Sequence, residues 1–162
     1  MTTLESVIAQ CAPALLGYFI RRVENTEDAA DLVSETMVAA WKASKRMPHD
    51  GEEARMWLFG VARNTLSHHS RSTRRRDALV ERLGQSLSAH HADGDSDALD
   101  VRRAVSGLPA ELGELVRLVH WDGFTLEQAA AHLGLRPSTA RGRHARAKVL
   151  LREKLETVRA LA

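Results

Sequence analysis

The chain has 162 residues, a formal net charge of only +2, one cysteine and no apolar run long enough to cross a bilayer. That length gives one domain or two small ones, each with a modest core, and a single cysteine excludes an internal disulfide. No stretch resembles a signal peptide, so a reducing cytoplasm is the expected location. The charge is unevenly spread: residues 55–76 hold six arginines and no acid, residues 77–100 six acids and one base, and residues 136–162 eight bases against two acids. Two basic segments separated by an acidic one suit two contacts with a polyanion.

Residues 3–24 carry apolar side chains at helical period (Leu4, Val7, Ile8, Cys11, Leu15, Leu16, Phe19, Ile20, Val23), with Pro13 marking a bend or a helix start. Cys11 lacks a flanking base and is expected as a buried thiol rather than a redox sensor. Asn25 is placed to cap a helix over Thr26–Arg46, with Asp28 at its N3 position. The buried stripe predicted for that helix is Ala29, Leu32, Val33, Thr36, Met37, Ala40 and Trp41. Asp28, Asp31 and Glu35 line the adjacent face, which periodicity alone reads as a solvated acidic surface.

Residues 47–54, with Pro48 and Gly51, read as a loop. A third helix is predicted from Ala54, with Met56, Leu58, Phe59, Val61, Ala62 and Leu66 apolar and Trp57 beside Arg55. Its distal half holds Arg63, Asn64, His68, His69, Arg71, Arg74, Arg75 and Arg76. Aromatics and amides leading into a dense cation run suit the stacking of unpaired bases while phosphates are held. Each piece alone favours an aromatic core followed by a solvated basic tail.

From Asp77 to Leu99 the first half (Ala78, Leu79, Leu83, Leu87) continues the helical pattern, and the second, HHADGDSDA, reads as disordered. The domain boundary is placed here. Asp93, Asp95 and Asp97 have the spacing of a calcium loop, but Ala98 stands where glycine is needed and Ala104 where the closing glutamate belongs. His68 with His69 and His90 with His91 are adjacent pairs, while His120, His132 and His144 fall on different predicted helices, so no Cys/His ligand spacing appears. Neither metal nor cofactor is expected.

The C-terminal stretch Thr125–Arg152 has the form of a helix-turn-helix. Thr125 and Gln128 form a capping box, and Leu126, Ala129, Ala130 and Leu133 make one apolar face. Gly134 supplies a left-handed stop, Pro137 interrupts the chain, and Ser138 is placed to cap a second helix. On that helix Ala140, His144, Ala147, Leu151, Leu155 and Val158 share a stripe, with Arg143 and Arg146 on one edge and Arg141, Lys148 and Arg152 on the other. Small side chains with flanking cations suit close approach to a major groove, although the same turn also occurs in plain helical bundles.

Taken together, DAADLVSETMVAAW, WLFGVARN, the arginine-rich run, a linker, LPAELGELVRLV and the helix-turn-helix resemble, in order and spacing, the bacterial sigma factors of the extracytoplasmic-function group. The resemblance covers nearly the whole chain, and it implies an all-α fold of two small helical domains on a flexible acidic linker. Residues 1–76 would correspond to region 2, residues 77–99 to the linker and residues 100–162 to region 4. It further implies that the second helix docks on the clamp helices of the largest subunit of core RNA polymerase through Asp28, Asp31, Leu32, Glu35 and Thr36. The flap of the second-largest subunit would receive the C-terminal domain. The loop around His49 and Asp50 would accept a base flipped from the minus-ten element, with Trp57, Arg63, Asn64, His68, Arg71 and Arg74 on the opened strand. Ser138, Thr139, Arg141, Arg143, Arg146 and Lys148 would contact the minus-thirty-five element. Asp93, Asp95 and Asp97 would suit a linker threading toward the active cleft, and a solvated tether equally well.

Four positions depart from the family pattern. Ser34 replaces the usual Gln and Met37 a common Phe, which bears on clamp affinity. Ala140 and His144 replace Val and Leu on the reading helix and thin its apolar stripe. An anti-sigma protein is the further partner that the resemblance implies. No nucleophile, base and orienting group occur as a set, so no catalysis is expected. Two other readings are a conventional helix-turn-helix regulator acting without core polymerase and a metal-dependent hydrolase using His49, Asp50 and the histidine pairs. Neither needs aromatics leading into an arginine run.

Overall fold

A computed structural model describes residues 2–82 and 96–161. All regular structure among them is helical, and the chain divides into two compact units, Met1–His91 and Ala92–Ala162. The expectations for Leu83, Leu87, His90, His91, Asp93 and Asp95 lie outside the described residues, as do the side chains of Asp97 and Val158.

The first unit holds α1 (Leu4–Ile20), α2 (Thr26–Lys42), a 3-10 turn (Ser44–Arg46) and α3 (Gly51–Arg82). Thr3 and Ser6 close a capping box at the start of α1, each hydroxyl oxygen accepting the other residue's backbone N–H at 3.2 Å. Pro13 neither starts nor ends the helix: α1 runs through it, and the ring sits on the exposed side. Asn25 caps α2 by accepting the Glu27 N–H at 2.9 Å. The three helices meet around Leu15, Phe19, Leu32, Leu58 and the buried ring of Tyr18, which stands edge-on to Phe19 at 5.3 Å and to Phe59 at 5.5 Å.

Along α2 the predicted stripe holds for Ala29, Leu32, Thr36 and Ala40 and fails at its end: Trp41 is 62% exposed. At 100° per residue Trp41 lies about 120° round from Ala29, too far to reach the same core. Thr36 is tolerated inside because its hydroxyl donates to the Leu32 carbonyl at 2.7 Å, leaving no buried polar atom unsatisfied there. The third helix begins at Gly51 rather than Ala54. Asp50 is the reason: its Oδ1 accepts the N–H groups of Glu52 at 2.9 Å and Glu53 at 3.0 Å. The helix then continues unbroken past Arg76 to Arg82, burying Ala54, Leu58, Phe59 and Ala62.

The second unit comprises α4 (Ser96–Ser106), α5 (Ala110–His120), α6 (Leu126–Leu133) and α7 (Pro137–Leu161). Ser96–Ala98, read as part of a disordered stretch, already belong to α4. Val105, Leu108, Leu112, Val116 and Ala147 form the core, with Trp121, Leu150 and Leu151 packed on it. The capping box of α6 is present as predicted, Thr125 Oγ1 accepting from Gln128 N at 3.1 Å and Gln128 Oε1 accepting from Thr125 N at 2.9 Å. Gly134 closes the helix at φ +67°, and Leu135 N–H returns to the Ala130 carbonyl at 2.8 Å. Helix α7 starts two residues earlier than expected. Pro137 takes the first helical position, where a missing N–H costs nothing, so Ser138 lies inside the first turn and is not the cap.

Candidate nucleic-acid interface

The long helix α3 sorts its residues by angle. Ala54, Leu58, Ala62 and Thr65 face the core, and Trp57, Asn64, His68, Arg71 and Arg75 fall within an arc of about 60° on another side. Asn64, His68, Arg71 and Arg75 are exposed and Trp57 is half-buried. Arg63 and Arg74 are exposed on one flank of that arc. Arg75 therefore joins the site and was missed in sequence as one of a run of three arginines; projecting the unbroken helix distinguishes it. One half-buried indole, an amide, an imidazole and two guanidiniums in a row can stack on bases and hold phosphates along several turns.

Between the start of α3 and the N-terminal half of α1 lies an open cleft of about 740 Å³. His49, Gly51, Glu52 and Arg55 line one side and residues of α1, Cys11 among them, the other. Arg55 is held in place by Glu52 Oε1 at 3.4 Å, and its guanidinium lies 5.1 Å from the centre of the Phe59 ring. Burial pushes the Cys11 thiol above its ordinary pKa; Arg55 pulls it down and Glu52 pushes it up. The thiol is buried, as expected. Asp50 is exposed and its Oδ1 also caps α3, while His49 beside it is exposed.

Two of the residues proposed from sequence for docking on α2 cannot touch a partner through their side chains. Leu32 is 1% exposed and Thr36 fully enclosed, both inside the core of the first unit. Asp28 is half-buried, with its Oδ2 3.8 Å from His69 Nε2 on α3. Asp31 and Glu35 do face outward, and they share their side of α2 with Val38 and Trp41, both exposed. An apolar pair rimmed by carboxylates is the surface that α2 offers.

In the second unit Ser138, Thr139, Arg141, Arg146 and Lys148 are exposed along α7. Arg143 is set apart from them: it donates through Nη2 to Glu111 Oε2 on α5 at 2.9 Å and is half-buried. Ala140 and Ala147 are fully enclosed. His144 turns toward α5, where its Nε2 lies 3.1 Å from His120 Nε2.

Residues 7–76 match the family described as Sigma-70 region 2, and residues 98–151 match Sigma-70, region 4. Among characterised proteins, the chain is 30% identical to the ECF RNA polymerase sigma factor SigL of Mycobacterium tuberculosis over 82% of its own length and 77% of the relative's. It is 31% identical to the RNA polymerase sigma factor CarQ of Myxococcus xanthus, covering 93% of this chain and 88% of that one. Among solved structures it is similar to the sigma factor RpoE of Bartonella quintana, in complex there with the anti-sigma factor NepR. The TM-score is 0.69 at 30% identity, over 94% of each chain.

Proposed function

The chain belongs to the sigma-70 family, in its extracytoplasmic-function group of RNA polymerase sigma factors, and from that premise we propose how its two units divide promoter recognition and opening. Residues 1–76 bind core polymerase and open the minus-ten element, residues 77–99 serve as the linker, and residues 100–162 read the minus-thirty-five element. The observation that carries this division is the stripe of Trp57, Asn64, His68, Arg71 and Arg75 on one unbroken helix. A regulator that only grips duplex DNA through a helix-turn-helix has no use for a second, aromatic-led cationic face.

In this reading the α3 stripe, flanked by Arg63 and Arg74, takes the unpaired strand, and the cleft bordered by His49 and Arg55 accepts an unstacked base. Removing a base from the stack costs a few kcal/mol, and the cleft and neighbouring cations offset it. The face of α2 made by Asp31, Glu35, Val38 and Trp41 docks on the clamp helices of the largest subunit; Leu32 and Thr36 shape it from beneath. The second unit meets the flap of the second-largest subunit. Ser138, Thr139, Arg141, Arg146 and Lys148 contact the outer promoter element. Phosphodiester chemistry belongs to the polymerase, and the protein works in the cytoplasm, where that enzyme is.

An anti-sigma protein holds the chain inactive by covering the α2 face. The support is the Bartonella relative, whose structure is a complex of that kind. The test of the whole reading is abortive transcription by core polymerase on promoter-bearing DNA. Transcripts appear only when the chain is added, and they vanish with Asp31→Ala/Glu35→Ala or with Trp41→Ala. A chain that binds duplex DNA by itself and leaves core polymerase unaffected would instead be a conventional helix-turn-helix regulator.

A further inference from the structure

His120 is the last residue of α5 and His144 lies in the second turn of α7, twenty-four positions away, yet their rings meet. The two Nε2 atoms are 3.1 Å apart, the ring centroids 5.3 Å apart, and the ring planes within 17° of each other. His120 is exposed and His144 half-buried, so the meeting point is open to solvent. Two neutral imidazoles at that distance share one proton, one Nε2 donating and the other accepting.

The same arrangement matches a second occupant. An ion bound tetrahedrally to two imidazole nitrogens at about 2.0–2.1 Å holds those nitrogens about 3.3 Å apart and the ring centroids about 5.2 Å apart. The observed separations differ from these by a few tenths of an ångström, within reach of a slight pivot of each ring. We propose that His120 and His144 form a two-histidine site for a borderline divalent metal ion of the Zn²⁺ class, bridging the end of α5 and the reading helix α7 through Nε2 of both rings. Imidazole nitrogen is the ligand type that this class of ion prefers.

No third His, Cys, Asp or Glu completes a protein cage among the described residues, so the remaining coordination positions fall to water. Lys148, one turn further along α7, is exposed and its charge opposes the ion, which sets the site among exchangeable ones rather than permanent structural ones. Binding changes the tautomers in a defined way. The ring that donated through Nε2 must move its proton to Nδ1, so that both rings carry Nδ1–H and both Nε2 lone pairs face the metal.

The experiment is a titration of the full chain with Zn²⁺ at pH 7.5, read by long-range proton–nitrogen correlation of the histidine rings and by thermal melting. One equivalent should shift the Nε2 resonances of His120 and His144 together and convert both rings to the Nδ1–H form. At free Zn²⁺ tenfold above the dissociation constant, Tm should rise by roughly 5 °C or more. Both effects should disappear in His120→Gln and in His144→Gln. Ring resonances of His120 and His144 unmoved by Zn²⁺ in the unaltered chain would overturn the site whether or not the variants fold. So would one equivalent still bound with the same affinity in the double variant.

Discussion

At the residue scale, the cations of α7 are not equivalent. Arg143 is already engaged by Glu111, and freeing it for DNA breaks a 2.9 Å ion pair, whereas Arg141 and Arg146 have exposed guanidiniums. A good bidentate contact to guanine discriminates by about 1–3 kcal/mol, which is roughly 5- to 150-fold in affinity. Arg141→Ala or Arg146→Ala should therefore weaken binding of holoenzyme to a minus-thirty-five duplex by roughly tenfold or more, and Arg143→Ala by less than threefold, in a fluorescence-anisotropy titration. His144 has a pH signature of its own. Burial lowers its pKa below the ordinary histidine value, with the charges of His120 and Lys148 acting in the same direction. The unfolded chain thus takes up this proton first. The stability it contributes is fully present above the ordinary histidine pKa and is lost as pH falls through the depressed folded value. Tm of the unaltered chain should fall between pH 7.5 and 5.5, and His144→Gln should flatten that decline.

At the scale of single elements, two glycines of the helix-turn-helix respond oppositely to alanine. Gly134 holds φ +67°, a conformation that costs an L side chain about 1 kcal/mol, so Gly134→Ala should lower Tm by about 4–8 °C. Gly142 lies inside α7 with nothing within 4 Å of an added Cβ, and alanine there should stabilise the helix by about 1 kcal/mol and raise Tm correspondingly. Helix α3 has its own local control in Asp50. Asp50→Asn keeps an acceptor for the Glu52 and Glu53 N–H groups and should leave Tm within a degree or two, while Asp50→Ala should cost about 1 kcal/mol. A loss of minus-ten opening in Asp50→Ala but not in Asp50→Asn would assign this residue to the helix start and not to DNA.

At the scale of the whole molecule, the proposed division of promoter binding between two cationic surfaces on separate units is testable with salt. Every phosphate contact steepens the fall of log affinity with log salt by about 0.7 to 0.9. Arg71→Ala/Arg75→Ala should therefore reduce the slope for an opened-promoter template by about 1.4 to 1.8 while leaving a minus-thirty-five duplex unaffected. A double variant that changed both templates alike would mean that α3 does not hold the opened strand separately.

What was legible in the sequence is what neighbours within one or two turns decide. The capping box at Thr125, the left-handed Gly134 and the Asn25 cap depend on near neighbours and appear in the structure, although Asn25 accepts from Glu27 and Asp28 turns to His69; of the α6 and α7 stripes, Ala129, Ala130, Ala140 and Ala147 are buried. Local reading misplaced the ends. Trp41 was counted into a stripe that the twist of the helix had already carried past the core. Ser138 suits a cap by spacing, but Pro137 opens the helix; Leu32 and Thr36 suit a docking face by family position, but the first unit encloses them. Periodicity identifies a buried face but not how wide it is, because its width depends on which other helices cover it.

Short-range geometry and composition carry the all-helical class, the helices α1 to α3, α6 and α7, the Asn25 and Thr125 caps and the two cationic segments. Only the tertiary structure decided which residues of those segments face outward together, that Arg143 is held by Glu111, and that Asp28 meets His69. It also decided that His120 meets His144 and that Cys11 lines a cleft with His49 and Arg55. These groups are distant in sequence and sit on different elements, and their approach follows from how the helices pack around Tyr18 in one unit and Leu112 in the other. No spacing along the chain encodes a contact of that kind, because the angle between two packed helices is set by the side chains of both.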